Sequence, residues 1–363
     1  MKNGLEDVVA AETILSEVDG LAGRLVIRGM SLDTLAGKLS YEAMLHMLFE
    51  GFFDDLPQPA ALTLALGAAR AAVFAELQAA DDRLLALSPF DAMRALTARL
   101  ADGSDLATAL RLVAAPAVFL PAIVRTRAGQ SPLPPIPGLG HAADLLRMLT
   151  GAAASAEQSA ALDAYLVTVA DHGLNASIFT ARVIASTQAG LLSSVLGALG
   201  ALKGPLHGGA PGPVLDMLDA IGTPDQAESW IAATLARGER LMGFGHRIYR
   251  VRDPRADALR RVLDLLRAAG QVDSARMALA ATVETAALAA LKRHKPDRVL
   301  ESNVEFNTAL LLEALGFPRD SFTCVFAAGR IGGWIAHARE QGLYGRLIRP
   351  QSVYVGPQPQ RAA

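Results

Sequence analysis

Gly243-Phe244-Gly245-His246-Arg247-Ile248-Tyr249-Arg250-Val251-Arg252-Asp253-Pro254-Arg255 runs straight into Ala256-Asp257-Ala258-Leu259-Arg260-Arg261-Val262-Leu263-Asp264-Leu265-Leu266 and stops at Gly270. The second half reads as one helix. Asp253 is its N-cap, Pro254 its first helical position, and Leu259, Val262, Leu263 and Leu266 recur at helical spacing before the terminating glycine. The first half reads differently, because Gly243 and Gly245 flank an imidazole. Gly204-Pro205-Leu206-His207-Gly208-Gly209-Ala210 sets a second histidine among glycines. Glycine reaches positive φ and lets backbone approach a ligand, so His207 and His246 are candidate working groups rather than core residues. Arg255 falls in the first turn of the helix, where the macrodipole disfavours a cation, a placement that a nearby anion would explain.

The same alternation of apolar-periodic run and breaker extends along the chain. Helices are expected over 41–51, 58–77, 89–100, 104–128, 140–149, 156–172, 177–202, 213–220, 224–237, 257–269, 274–294, 304–315 and 330–340. Turn residues around Leu25-Val26-Ile27 predict a short N-terminal β-hairpin. Ser131-Pro132-Leu133-Pro134-Pro135-Ile136-Pro137-Gly138 is a stiff extended loop. The uncharged run 183–202 is long enough for a membrane span, but its serines, glycines and Gln188 predict a helix buried on all sides, in a core or at a subunit interface. The fold class is all-α.

With 363 residues, the chain can hold two domains. A formal charge of −2 gives no overall attraction for nucleic acid or an anionic membrane, so any anion binding must be local. The single cysteine, Cys324, excludes an internal disulfide and fits a reducing compartment. With no apolar leader among the first residues, a cytoplasmic location is expected. Gly243-x-Gly245 is no dinucleotide fingerprint, because no strand precedes it and the third glycine is missing.

Several further blocks occur in order: Asp171-His172-Gly173-Leu174-Asn175-Ala176-Ser177, Asn303-Val304-Glu305-Phe306, Gly329-Arg330-Ile331-Gly332-Gly333-Trp334 and Arg349-Pro350. With the two glycine-flanked histidines they make the whole chain resemble the citrate synthase family in its short bacterial form. The resemblance implies a homodimer of mostly helical subunits, each with a large domain (1–209 and 317–363) and a small one (210–316). It places the 183–202 helix at the subunit interface.

By the same resemblance the substrates are oxaloacetate and an acyl-CoA, with neither metal nor cofactor. Glu305 matches the base on the acetyl methyl, His207 the donor to the thioester oxygen, and His246 the residue that polarises the oxaloacetate carbonyl. His172, Arg255, Arg330 and Arg349 match the oxaloacetate-binding residues, Arg349 reaching across the dimer. Arg250 matches a CoA phosphate contact, and the backbone of Met242, Gly243, Phe244 and Gly245 the adenine site. Arg247 and Arg252 are neighbouring candidates.

The chemistry suits these types: a weak carbon acid needs a base and an enolate donor, and a dicarboxylate needs guanidinium forks. A neutral imidazole is expected at His207, with its pKa lowered by nearby helix starts. The chain departs from the family pattern at Glu305, commonly aspartate, at Asn307, commonly aromatic, at Gly173, commonly glutamate, and at Pro211. His46, His141, His294 and His337 carry no motif and read as ordinary packing residues. Three readings follow: condensation of acetyl-CoA to citrate, the same chemistry on propionyl-CoA to 2-methylcitrate, and a non-catalytic protein binding CoA or oxaloacetate.

Overall fold

The computed structural model describes residues 4 to 357, apart from 6–7, 78–81, 209–210, 246–248, 250 and 296–299. The chain opens with a small antiparallel sheet, in which β1 (Ser16–Asp19) pairs with β2 (Arg24–Ile27) and β2 with β3 (Met30–Ser31). Leu25 and Ile27 point into the core at the period of two expected of a strand. The expected hairpin thus gains a two-residue third strand. Everything after it is helical apart from loops and an extended tail from Gly345.

The helices are α1 (Leu32–Leu35), α2 (Tyr41–Phe49), α3 (Pro59–Ala75), α4 (Asp82–Ala86), α5 (Pro89–Thr97), α6 (Leu106–Arg127), α7 (His141–Thr150) and α8 (Ala156–Val169). They continue with α9 (Ala176–Ala185), α10 (Leu191–Leu202), α11 (Pro211–Ile221), α12 (Ala227–Ala236), α13 (Pro254–Ala268), α14 (Ser274–His294), α15 (Val304–Ala314) and α16 (Phe322–Tyr344). α6 is buried along nearly its whole length, which explains a sequence apolar enough to cross a membrane. α16 is the second buried axis, packed against α2, α6, α8, α9 and α10. Its glycines make that possible: a Cβ on Gly333 would stand 2.2 Å from the Ala170 carbonyl oxygen, and one on Gly332 2.5 Å from Leu45 Cδ2.

Two expectations are corrected. The predicted helix over 177–202 is two helices, α9 and α10, because Gln188 and Gly190 both adopt positive φ between them. The new helix start is satisfied from a distance: Asp102 accepts the main-chain N–H groups of Leu192 (2.8 Å) and Ser193 (3.1 Å). Close approach does occur, since a Cβ on Gly197 would lie 2.1 Å from Ile184 Cδ1, but the partner is α9 of the same chain. Within the single chain Val183, Ile184, Leu196 and Gly197 are half-buried and Gly200 is exposed. The helix predicted over 330–340 begins eight residues earlier, at Phe322. A run buried on every face offers no amphipathic contrast to mark its start.

α11, α12, α14 and α15 pack on one another, while α13 lies on α15 and also on α8 and α1. α13 thereby bridges the two groups of helices. Its cap is as predicted, Asp253 Oδ1 accepting the Arg255 N–H at 3.0 Å.

Candidate active site

Glycine geometry places His207 and the 243–245 loop. After α10 the chain turns tightly, His207 N–H donating to the Gly204 carbonyl (2.9 Å). A Cβ on Gly208 would come within 2.3 Å of the Leu202 carbonyl oxygen. Gly243 and Gly245 both sit at positive φ. Their loop is clamped onto the segment before α15: Gly245 N–H donates to the Glu301 carbonyl (2.8 Å) and Asn303 N–H to the Gly243 carbonyl (2.9 Å). Asn303 Nδ2 donates to the Gly245 carbonyl (2.9 Å), while its Oδ1 caps α15 through the Glu305 N–H (3.1 Å). One asparagine thus fixes both the loop and the helix that carries Glu305.

A cleft of about 460 Å³ gathers His172, His207, Gly245, Arg255, Glu305 and Arg330. Glu305 turns its carboxyl inward, where Oε2 is buried and has no hydrogen-bond partner among the described residues. Burial raises its pKa, against the charge of Arg255. Burial, and then the Arg330 charge, push the His207 imidazole down to about 4, so the ring is neutral at pH 7. The neutral ring expected here is favoured first by burial and then by the Arg330 charge.

His207 Nε2 lies 2.8 Å from Ser177 Oγ, which also accepts the Trp334 indole N–H (3.0 Å) and lies 2.8 Å from Asn175 Oδ1. Ser177 has a single hydrogen for two claimants. Pointed at His207 it leaves the ring hydrogen on Nδ1, and pointed at Asn175 it leaves it on Nε2.

The cations differ in their partners. Arg255 grips its own N-cap, Nε and Nη2 reaching Asp253 at 3.0 and 2.9 Å. Burial alone would lower its pKa, but Asp253 more than reverses that. Asp253 is thus an anion beside Arg255 within the chain. Arg330 is only 2% exposed, and its one hydrogen bond among the described residues runs from Nε to the Val169 carbonyl. No carboxylate among the described residues lies within ion-pair distance of it. It stacks over Phe326 at 4.9 Å. Burial pushes its pKa down to about 10, with Asp171 opposing and Arg255 adding to the fall. His172 is buried, with Nε2 3.0 Å from the Tyr249 hydroxyl.

Other predicted residues stand elsewhere. Arg349 is exposed in the tail and does not line this cleft. Met242 and Phe244 pack against the core, so the loop offers a ligand backbone rather than these side chains. His246, Arg247 and Arg250 lie outside the described residues. Arg252 is paired with Asp33 (2.8 Å) and with Asp257 on the surface. Asn307 is absent from the cleft: its Nδ2 donates to the Ala256 carbonyl (3.0 Å), tying α15 to α13. Gly173, at positive φ against Val18, donates to Ser16 Oγ (2.9 Å). Pro211 opens α11 and lines the cleft.

The sequence reading missed Tyr165, Arg240, Thr308 and Phe326 as lining residues, and also Tyr249 as the partner of His172, Ser177 as that of His207 and Trp334 as the donor to Ser177. Phe326 stands one helical turn before Arg330, a spacing that marks a shared face once 322–329 is known to be helical.

A family model described as "Citrate synthase, C-terminal domain" matches residues 4–351. A protein named putative citrate synthase 2, from Mycobacterium tuberculosis, is 38% identical over 364 residues, covering 98% of this chain and 93% of its own. The 2-methylcitrate synthase of the same species is 35% identical over 373 residues, covering 98% and 91%. A Thermoplasma acidophilum citrate synthase, solved as a ternary complex with carboxymethyl coenzyme A and oxaloacetate, superposes with a TM-score of 0.82 at 26% identity, covering 100% and 98%.

Proposed function

Because the chain belongs to the citrate synthase family, we propose that it joins the methyl carbon of acetyl-CoA to the keto carbon of oxaloacetate and hydrolyses the resulting thioester to citrate and CoA. One observation carries this reading. A buried carboxyl with an unpartnered oxygen and a neutral imidazole share a cleft with two guanidinium groups and a further histidine.

In this reading Glu305 removes the methyl proton, its raised pKa making it a stronger base than an exposed glutamate. His207 donates to the thioester oxygen where enolate charge develops. That role needs the ring hydrogen on Nδ1, and hence the Ser177 hydrogen directed at Nε2. Arg330, with its terminal nitrogens uncommitted among the described residues, and Arg255 and His172 bind the oxaloacetate carboxylates. A dianion between them offsets the repulsion of the two guanidinium groups. His246 polarises the keto carbonyl, Arg250 and Arg247 meet CoA phosphates, and the 242–245 backbone meets adenine. The working unit is a cytoplasmic homodimer in which Arg349 completes the partner's site, and the 210–316 domain closes over the larger one.

Oxaloacetate-dependent release of free thiol from acetyl-CoA tests this, and its absence at every pH would favour a non-catalytic binding protein. The 35% identical relative supports a second reading, propionyl-CoA as substrate. One methylene discriminates by only roughly 10 to 200-fold. Initial rates with both thioesters decide between them.

A further inference from the structure

The sequence gives no sign that His337 matters, and it lines no part of the cleft. It is nevertheless fully buried between charged groups. Arg182 Nη1 lies 3.0 Å from its Nδ1. A guanidinium only donates, so Nδ1 accepts, the ring hydrogen sits on Nε2, and Nε2 donates to Asp171 Oδ2 at 3.1 Å. Arg182 is held in turn by Glu340 Oε2 (2.5 Å) and Gln341 Oε1 (3.1 Å). Asp171 Oδ1, the other end of the chain of contacts, accepts the main-chain N–H of His172 at 2.8 Å.

These contacts belong to one face of α16. Arg330, Gly333, Trp334 and His337 follow the i, i+3, i+4, i+7 spacing. Each meets the 169–177 stretch, from the last residue of α8 to the first turn of α9: Arg330 at the Val169 carbonyl, Gly333 at the Ala170 carbonyl, Trp334 at Ser177, and His337 at Asp171. That segment carries His172, and through Ser177 it holds His207. Asp171 is also an anion acting on Arg330.

We propose that His337 is a positioning residue for oxaloacetate: by holding Asp171 it fixes where His172 stands in the cleft and keeps a negative charge behind Arg330. The proposal rests on the reading of the cleft as an oxaloacetate site. It separates His337 from an ordinary core residue, whose loss would lower stability without singling out one substrate.

The test is calorimetric titration with oxaloacetate, together with steady-state kinetics, on the full-length protein and its variants. His337→Leu is expected to raise the Kd and KM for oxaloacetate at least about tenfold, equivalent to ~1.4 kcal/mol. The KM for acyl-CoA should stay within about twofold of the parent. His337→Gln can donate to Asp171 and accept from Arg182, and should return oxaloacetate binding to within about threefold of the parent. If His337→Leu does not fold, Asp171→Asn takes its place. Its single amide oxygen can accept from His337 or from the His172 N–H but not from both, the anion is removed, and the same selective loss should follow. Unchanged oxaloacetate binding in these variants, or equal weakening by Leu and Gln, overturns the proposal. A parent that binds no oxaloacetate overturns the reading of the site itself, and this inference with it.

Discussion

Glu305 is costly to the fold in its ionised form, since the buried Oε2 has no donor among the described residues to replace water. That cost is what makes it a good base. Glu305→Gln should lower kcat by about 10²–10⁴-fold with oxaloacetate binding retained, and an undiminished kcat would remove Glu305 from the chemistry. Glu305→Asp withdraws the carboxyl by about 1 Å and should cost on the order of a hundredfold. The sign of the pH effect follows from the raised pKa. The free enzyme's kcat/KM should fall as pH drops through the Glu305 pKa, with an acid limb above the ordinary glutamate value of about 4.3. A limb below that value in the pH–rate profile would contradict it. His207 behaves oppositely in stability. Its depressed pKa favours the neutral ring in the fold, so its contribution is present above about pH 6.5 and is lost as pH falls toward about 4. His207→Gln should therefore narrow the drop in melting midpoint between neutral and mildly acid pH.

At the scale of elements, α16 holds the 169–177 segment in place, and its glycines set the distance. Gly333→Ala would drive a methyl into the Ala170 carbonyl. It should cost about 1–3 kcal/mol in stability and displace His172, seen as a lowered melting midpoint with weaker oxaloacetate binding; a silent substitution would show that the contact has slack. Much of the site was legible in the sequence, because glycine-flanked histidines, a capped Asn303-to-Glu305 start and a first-turn arginine are local patterns. What stayed hidden depends on residues far apart in the chain. Asp171 and His337 meet only because Gly333 lets two segments touch, and the break between α9 and α10 is stabilised by Asp102, some ninety residues away. The start of α16 escaped for another reason: burial on every face erases the periodicity by which a helix is read. Asn307, a departure from the family pattern in the sequence, joins α13 to α15.

At the scale of the whole molecule, the proposed homodimer is tested at the C-terminal tail. The tail from Gly345 leaves Leu347, Val353, Tyr354 and Val355 exposed, and Arg349 lies there, outside its own chain's cleft. If Arg349 serves the partner's site, Arg349→Ala and Glu305→Ala should each be inactive alone, yet regain part of the parent activity when mixed and allowed to exchange subunits. A mixture as inactive as its components would place each site within a single chain.

The most direct measurement is free thiol released from acetyl-CoA by the purified protein, with and without oxaloacetate, across pH. Release that requires oxaloacetate and disappears in Glu305→Gln is the predicted result. No release at any pH, or release indifferent to oxaloacetate, would contradict it.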